Sequence, residues 1–204
     1  MTERERFAAE FDVSRETLKR LQDYADLLLQ WQAHTNLVGP GTMPQLWTRH
    51  FFDSAQLLPI AGAGHSWLDM GAGAGFPGLV LAVLDPAARL TLVESIAKKC
   101  RFLGEAAALL GVADRIVIAN QRIETLPRQR FDIITARALA SLDKLFAWGI
   151  PFAAADTRWV LPKGARAEEE LASASKQFHF VHELIPSRTD SQARIIVASA
   201  VRPR

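Results

Sequence analysis

The sequence predicts an α/β fold in which helices cover a mostly parallel sheet of seven strands, with a helical cap ahead of it. Three observations lead to this prediction. From residue 66 onward, short apolar runs that suit strands alternate with longer segments of helical periodicity. The first such run leads directly into glycines at 71, 73 and 75, which indicates a strand–turn–helix junction. The last two strand-like runs are separated only by a turn, so they should pair as an antiparallel hairpin.

Length and composition indicate one folded domain. The chain has 204 residues, of which 49% are hydrophobic, enough to bury a core. We expect a single domain over residues 1–204, with the cap at 1–62 and the α/β core at 63–204. A charged beginning and the lack of a long apolar run favour a cytoplasmic protein without a membrane span. The single cysteine, Cys100, excludes an internal disulfide and a cysteine-based metal site.

The cap is predicted to contain two helices. Ser14 can cap the first, because apolar side chains recur every three or four residues from there to about Ala33. A loop rich in turn residues follows. Pro44 then opens a second helix, which Pro59 should stop.

The core alternates strands and helices, which is typical of a parallel sheet with helices on both faces. The strands are predicted near residues 66–71, 89–94, 115–120, 131–136, 157–162, 178–185 and 193–200. The helices are predicted near residues 77–84, 96–110, 141–149 and 165–176. A turn at about 186–190 joins the last two strands.

The loop after the first strand is the strongest functional signal. Its alternate glycines let the backbone approach a ligand with no Cβ in the way, and a helix behind them would direct N–H groups at that ligand. Phe76 stands where the dinucleotide fingerprint needs its third glycine, and no Lys-Ser or Lys-Thr follows as in a phosphate loop. The pattern D-x-G-x-G-x-G at 69–75 therefore favours an S-adenosylmethionine pocket. A glycine-rich turn without a ligand is the alternative.

A carboxylate at the end of the second predicted strand supports this pocket. Residues 89–93 alternate as a strand should, and Glu94 follows them. In a doubly wound sheet, an acid at this place can bind both ribose hydroxyls of a nucleoside. The alternative is a solvated carboxylate, which the order of glycine loop, helix, strand and acid disfavours.

Several further blocks follow one another in a characteristic order. They are WQAHTNL at 31–37, RHFFDS at 49–54, DMGAGAGFPG at 69–78, LVES at 92–95, QRIE at 121–124, ARALASL at 136–142 and LPKG at 161–164. With them the chain resembles the RsmG family, also called GidB, of bacterial 16S ribosomal RNA guanine-N7 methyltransferases. The GFPG and ARALASL blocks are far more specific than the glycine loop.

The resemblance implies a Rossmann-like class I methyltransferase with S-adenosylmethionine as cofactor. It assigns cofactor contacts to Gly71, Phe76, Glu94, Ile123, Glu124 and Arg137, and Gly73 of the glycine loop joins them. It also implies that the partner is 16S ribosomal RNA or the small ribosomal subunit. We expect a monomer that needs no metal.

The chemistry of the acceptor agrees with guanine N7. After the fourth predicted strand the sequence reads TARAL at 135–139, not the Asp/Asn-Pro-Pro-aromatic motif that orients an exocyclic amine. Methylation of a pyrimidine C5 needs a cysteine nucleophile, whereas Cys100 is predicted to be a partly buried thiol in a helix. Guanine N7 carries no proton, so the enzyme needs no general base and works by positioning.

The positioning candidates are Asn36, His50 and Arg137. His50 and Asp53 could orient each other toward the substrate, or they could form a solvated face. Asn36 could bind the base edge or cap a turn. Residues 96–137 contain eight bases against four acids, which is compatible with a polyanionic partner. The candidates for RNA phosphate contacts are Lys98, Lys99, Arg101, Arg122, Lys163 and Arg194, and each could equally be a plain surface charge.

Two other functions stay open at this point. A methyltransferase of the same fold could act on a small molecule or a protein, and a flat response to salt would favour it. A non-catalytic RNA- or ribosome-binding protein could have kept the fold, and a failure to bind the cofactor would favour that.

Overall fold

The computed structural model describes residues 1–62 and 66–204, so that residues 63–65, where the predicted core begins, lie outside the described residues. The strands are β1 Ser66–Met70, β2 Arg89–Val93, β3 Ile116–Ala119, β4 Ile133–Thr135, β5 Arg158–Lys163, β6 Phe178–Pro186 and β7 Arg194–Pro203. They form one seven-stranded sheet in the order 3-2-1-4-5-7-6.

Strands β1 to β5 pair in parallel with their neighbours, whereas β7 is antiparallel to both β5 and β6. The predicted mostly parallel sheet and its terminal hairpin are therefore confirmed. The strand order runs outward in opposite directions from β1, through β2 on one side and β4 on the other. Ligands of such sheets bind at this switch point, outside the carboxyl ends of the strands.

The helices lie where the alternation predicts them in the core. Their bounds are α1 Glu3–Glu10, α2 Arg15–Gln32, α3 Asp53–Ala55, α4 Leu57–Ala61, α5 Gly78–Leu84, α6 Ala97–Leu109, α7 Leu142–Gly149 and α8 Ala167–Ala174. The cap also contains a 3₁₀ segment, Pro40–Gln45, and a π-helical segment, Trp47–Phe52.

Helix α1 is absent from the sequence prediction. The Thr2 hydroxyl accepts a hydrogen bond from the Glu5 backbone N–H, and the Glu5 carboxylate accepts one from the Thr2 backbone N–H, which makes a capping box. The pattern Thr-x-x-Glu is a signal that could have revealed this helix. The predicted cap at Ser14 is confirmed, because its hydroxyl accepts from the Thr17 N–H at 3.1 Å.

The predicted bounds of the second cap helix are wrong at both ends. Helical structure begins at Pro40 instead of Pro44 and continues past Pro59 to Ala61. A turn at Gln56 interrupts the segment. Pro59 therefore lies in the first turn of a new helix, where its missing N–H costs no hydrogen bond.

The two faces of the sheet pack into separate cores. Trp67 belongs to one core and Leu68 to the other, as the alternation of a strand requires. The first core also contains buried residues of the cap, including Tyr24 and Phe51. The ring of Phe51 lies 5.3 Å from that of Phe76 in the glycine loop, so the cap packs directly against the loop that follows β1.

Gly78, where α5 begins, should tolerate no side chain. A Cβ there would collide with the buried Leu92 side chain and lie 2.8 Å from Asp69 Oδ2. We expect Gly78→Ala to lower the free energy of unfolding by about 2 kcal/mol or more, measured by urea denaturation. Gly104→Ala is the matched control, because its Cβ would meet only Ile118 at 3.9 Å. A helix-interior glycine replaced without a clash should stabilise the chain by about 0.5–1 kcal/mol. Equal effects of the two changes would contradict this packing.

Candidate active site

A cleft of about 900 Å³ lies at the carboxyl ends of β1, β2 and β4, where the topology places a ligand site. The glycine loop between β1 and α5 and the residues after β2 form part of its wall. The β3–β4 loop, the β4–α7 loop, the cap, the end of β5 and the β6–β7 turn also contribute to it. Segments that are far apart in the sequence therefore meet at one place.

The glycine loop exposes bare backbone to this cleft. Gly71 and Gly73 have φ angles of +73° and +57°, which a residue with a Cβ rarely adopts. The Gly71 N–H donates to the Val93 carbonyl at 2.9 Å and thereby ties the loop to the end of β2. From the cap, the buried Tyr24 hydroxyl donates to the Ala74 carbonyl. The loop is thus held from both sides.

Glu94 is fixed against the glycine loop and is only 7% exposed. Its Oε2 accepts from the Gly73 N–H at 3.1 Å, and its Oε1 accepts from the Ile96 N–H at 2.8 Å. The Asn120 side chain donates to the Glu94 carbonyl at 3.1 Å. A carboxylate oxygen has two lone pairs, so each oxygen of Glu94 can accept one further hydrogen bond from a ligand.

Arg137, which follows β4, is the polar centre of the site. Its guanidinium donates to His50 Nδ1 at 2.8 Å and to the Arg49 carbonyl at 3.1 Å, and it lies 3.5 Å from Asp53 Oδ2. The guanidinium also lies over the Phe76 ring, 5.2 Å from the ring centre. Burial lowers the pKa of Arg137, and the Asp53 charge opposes that shift. A guanidinium in this setting keeps its charge.

His50 is buried at 6% exposure and is held neutral. Burial, and next the charges of Arg137 and Arg49, lower the pKa of His50 to about 3. Both hypotheses about His50 are wrong: Asp53 does not orient the ring, and the ring does not lie on a solvated face. Asp53 instead accepts from the Thr189 hydroxyl at 2.8 Å and faces Arg137. It therefore links the β6–β7 turn to the centre of the site.

Asp69 lies fully buried beneath the glycine loop. Its Oδ2 accepts from the Gly78 N–H at 3.0 Å, whereas Oδ1 has no hydrogen-bond partner among residues 1–62 and 66–204. Burial raises the pKa of Asp69 to about 7, opposed by the Gly78 N–H and the charge of Arg137, with the Glu94 charge adding to the rise. The proton on this carboxyl therefore changes near neutral pH.

The pKa of Asp69 leads to a prediction about stability. Between pH 3.8 and about 7 the folded chain keeps a proton that the unfolded chain has lost. The free energy of unfolding should therefore fall as the pH rises through this window, by about 2–4 kcal/mol. Asp69→Asn removes this titration, so urea denaturation at several pH values should show a flatter profile for the variant. An identical pH dependence in both proteins would contradict the shifted pKa.

The cleft wall contains most of the residues predicted for the site. It includes all the predicted cofactor residues, namely Gly71, Gly73, Phe76, Glu94, Ile123, Glu124 and Arg137, together with the positioning candidate His50. Four of the basic candidates also line it, namely Lys99, Arg122, Lys163 and Arg194. Lys163 is engaged within the chain, because its Nζ lies 2.7 Å from the Ala140 carbonyl and 2.8 Å from Glu170 Oε2. An RNA phosphate would have to compete with Glu170 for it.

Three predicted site residues lie outside the cleft wall. Asn36 is exposed beside the wall residue Leu37. Lys98 donates to the His34 carbonyl at 2.7 Å, and Arg101 is exposed on α6. They remain predictions as contacts to RNA.

Sequence reasoning missed Tyr24 and Thr42 as parts of the site. Tyr24 lies on the apolar stripe of α2 and gives no separate signal. Thr42 lies in a Gly- and Pro-rich stretch and is 2.7 Å from His50 Nε2. Thr42 and His50 are eight residues apart in the sequence, a spacing that belongs to no recognisable motif. Only the fold shows either contact.

Comparison with known proteins decides the family. The family model GidB, described as rRNA small subunit methyltransferase G, matches residues 17–195. The chain belongs to the GidB family. A ribosomal RNA small subunit methyltransferase G of Methylobacterium sp. (strain 4-46) is 45% identical, and the alignment covers 98% of this chain and 96% of that protein. A protein of the same name from Paramagnetospirillum magneticum (strain ATCC 700264 / AMB-1) is 48% identical, and the alignment covers 87% of this chain and 86% of that protein.

Solved structures place this GidB chain among methyltransferase folds. The glycopeptide N-methyltransferase MtfA complexed with S-adenosyl-L-methionine has a TM-score of 0.63 and 11% identity, covering 74% of this chain and 93% of its own. The ribosomal protein L11 methylase of Lactobacillus delbrueckii subsp. bulgaricus has a TM-score of 0.59 and 16% identity, covering 80% and 83%. At these identities the similarity concerns the fold.

No helix within residues 1–62 and 66–204 has both the length and the apolar character that crossing a bilayer demands. In the same part of the GidB chain, no three His, Cys, Asp or Glu side chains come together as a metal site would require.

Proposed function

We propose that this GidB-family chain transfers a methyl group from S-adenosylmethionine to N7 of a guanine in 16S ribosomal RNA. Membership of the family of rRNA small subunit methyltransferases supports the enzyme class and the ribosomal RNA substrate. The observation that carries the site is the convergence of Gly71, Glu94 and Arg137 on one cleft at the switch point of the sheet.

The residues of the cleft fit this cofactor. A Cβ at Gly71 would lie 2.6 Å from Leu139 Cδ1, so a residue larger than glycine would not fit at this point of the loop. Glu94 would hold the ribose hydroxyls with its remaining lone pairs, and Arg137 would hold the carboxylate of the amino-acid part. When bound, S-adenosylmethionine supplies a methyl group on a positively charged sulfur.

The polar residues of the cleft suit an acceptor without a proton. His50 is neutral, and both of its ring nitrogens already have hydrogen-bond partners in Arg137 and Thr42. Asp53 is likewise engaged, with Thr189 and Arg137. Neither side chain is arranged to take a proton from a substrate, and guanine N7 has none to give. The chain's contribution is then to orient the base and exclude water.

Basic side chains around the cleft support an RNA acceptor. Three basic residues lie in the cleft wall and are accessible to solvent: Arg122 is exposed, and Lys99 and Arg194 are partly buried. We further propose that the chain acts in the cytoplasm as a single-domain monomer. The hydrophobic core that the cap and the sheet share supports the single domain.

Methyl transfer to ribosomal RNA that lacks the mark tests this function. The purified protein, labelled S-adenosylmethionine and small subunits from a strain without the methylated guanine should give label at one guanine. Borohydride and aniline treatment should then cleave the RNA at that 7-methylguanine. Product formation should fall steeply as salt rises, because phosphate contacts release counterions.

Three outcomes would each overturn a part of the proposal. Normal cofactor binding without any cleavage product, on naked RNA as well as on subunits, would remove the guanine-N7 assignment. A flat salt response together with methyl transfer to a small acceptor would rule out RNA as the substrate. A failure to bind the cofactor at all would rule out methyltransferase activity.

A further inference from the structure

Three consecutive hydrogen bonds connect the Gly39 carbonyl in the cap to Arg137. The Thr42 hydroxyl lies 2.7 Å from the Gly39 carbonyl and 2.7 Å from His50 Nε2. On the other side of the ring, His50 Nδ1 lies 2.8 Å from Nη2 of Arg137. All of these distances are within the normal range for hydrogen bonds.

The protons in these three hydrogen bonds have only one consistent arrangement. A guanidinium only donates, so Nδ1 of His50 accepts and carries no proton. The single hydroxyl proton of Thr42 points at the Gly39 carbonyl, which only accepts. The hydroxyl oxygen of Thr42 therefore accepts from His50, and the proton of the neutral imidazole is on Nε2.

We infer that Thr42 is a positioning residue that fixes the Nε2–H tautomer of His50 and thereby the direction of the Arg137 guanidinium. In the other tautomer, a ring N–H would face a guanidinium N–H, and this bond would be lost. The inference rests on the proposed function, in which Arg137 binds the cofactor.

The other contacts of Arg137 cannot replace this bond. The bond to His50 is shorter than the one to the Arg49 carbonyl at 3.1 Å and the approach to Asp53 at 3.5 Å. The cation–π contact with the Phe76 ring attracts the guanidinium, but it offers no acceptor that would fix the direction of an N–H group. The neutral imidazole also places no second full charge next to the guanidinium. His50 thus serves as an acceptor that Thr42 keeps in the correct form.

The test combines a spectroscopic and a binding measurement. Nitrogen-15 NMR of the wild-type protein at neutral pH should show His50, assigned by its absence in His50→Gln, as the Nε2–H tautomer. Thr42→Val keeps the shape of the side chain without the hydroxyl, and Thr42→Ser keeps the hydroxyl. Thr42→Val should change the tautomer signals of His50 and weaken S-adenosylhomocysteine binding in calorimetry roughly five- to tenfold. Thr42→Ser should restore both.

Thr48→Val is the matched control, because the Thr48 hydroxyl binds Glu3 elsewhere in the cap at 2.8 Å. It should leave the His50 signals and the binding unchanged. The inference is overturned if wild-type His50 carries its proton on Nδ1 or is cationic. It is also overturned if Thr42→Val binds S-adenosylhomocysteine as the wild type does. If the wild type itself does not bind S-adenosylhomocysteine, the proposed function fails instead, since the tautomer is measured independently.

Discussion

Replacement of Arg137 by alanine is expected to weaken S-adenosylmethionine binding by roughly 100-fold, because a charged group and its hydrogen bonds are lost together. In the structure this side chain joins the cap to the core through His50 and the Arg49 carbonyl. Calorimetric titration measures the affinity, and a single-turnover assay on ribosomal RNA measures methyl transfer. Arg137→Lys should also stay impaired, since an ammonium lacks the planar fork that spans these two acceptors.

Arg158→Ala is the control for this change. Arg158 begins β5 at the opposite end of the sheet, is exposed and lies outside the cleft wall. It should bind the cofactor as the wild type does. If a folded Arg137→Ala protein also bound with wild-type affinity, Arg137 would have no place in the cofactor site.

Replacement of Glu94 should have a comparable effect by a different route. Glu94→Ala removes the acceptors of the Gly73 and Ile96 N–H groups as well as the proposed partner of the ribose. We expect cofactor affinity to fall roughly 100-fold or more and stability to fall by about 1–3 kcal/mol. Glu94→Gln keeps one acceptor oxygen, so calorimetry should show an intermediate loss. Urea denaturation separates the two effects.

Glu183→Ala serves as the control for Glu94, because Glu183 is exposed on β6 and lies outside the cleft wall. Neither affinity nor stability should change appreciably. A Glu94→Ala protein that lost stability but kept its affinity would reduce Glu94 to a support of the glycine loop.

The core was predictable because its signals are local. Apolar runs such as 66–70 carry their own strand signal, and the glycines at 71 and 73 mark the turn that follows. The parallel order then brings Glu94 next to Gly73, a contact that the structure shows at 3.1 Å. The hairpin of β6 and β7 follows from the absence of a helix between them.

The cap was predicted less well because its boundaries depend on tertiary contacts. Proline generally ends a helix, yet here the helical segment is interrupted at Gln56 and Pro59 lies in the first turn of the next helix. The link from Thr42 through His50 to Arg137 joins residues 8 and 87 positions apart, so no local pattern reveals it. From the sequence alone, Lys163 in its ion pair with Glu170 likewise could not be distinguished from a free surface lysine.

The most direct test of the account is a crystal structure of this protein grown with S-adenosylhomocysteine. We predict density for the ligand along Gly71 and Gly73, with its ribose hydroxyls within hydrogen-bond distance of Glu94 and its carboxylate on Arg137. Density for the ligand away from this cleft, or a ribose turned away from Glu94, would contradict the account.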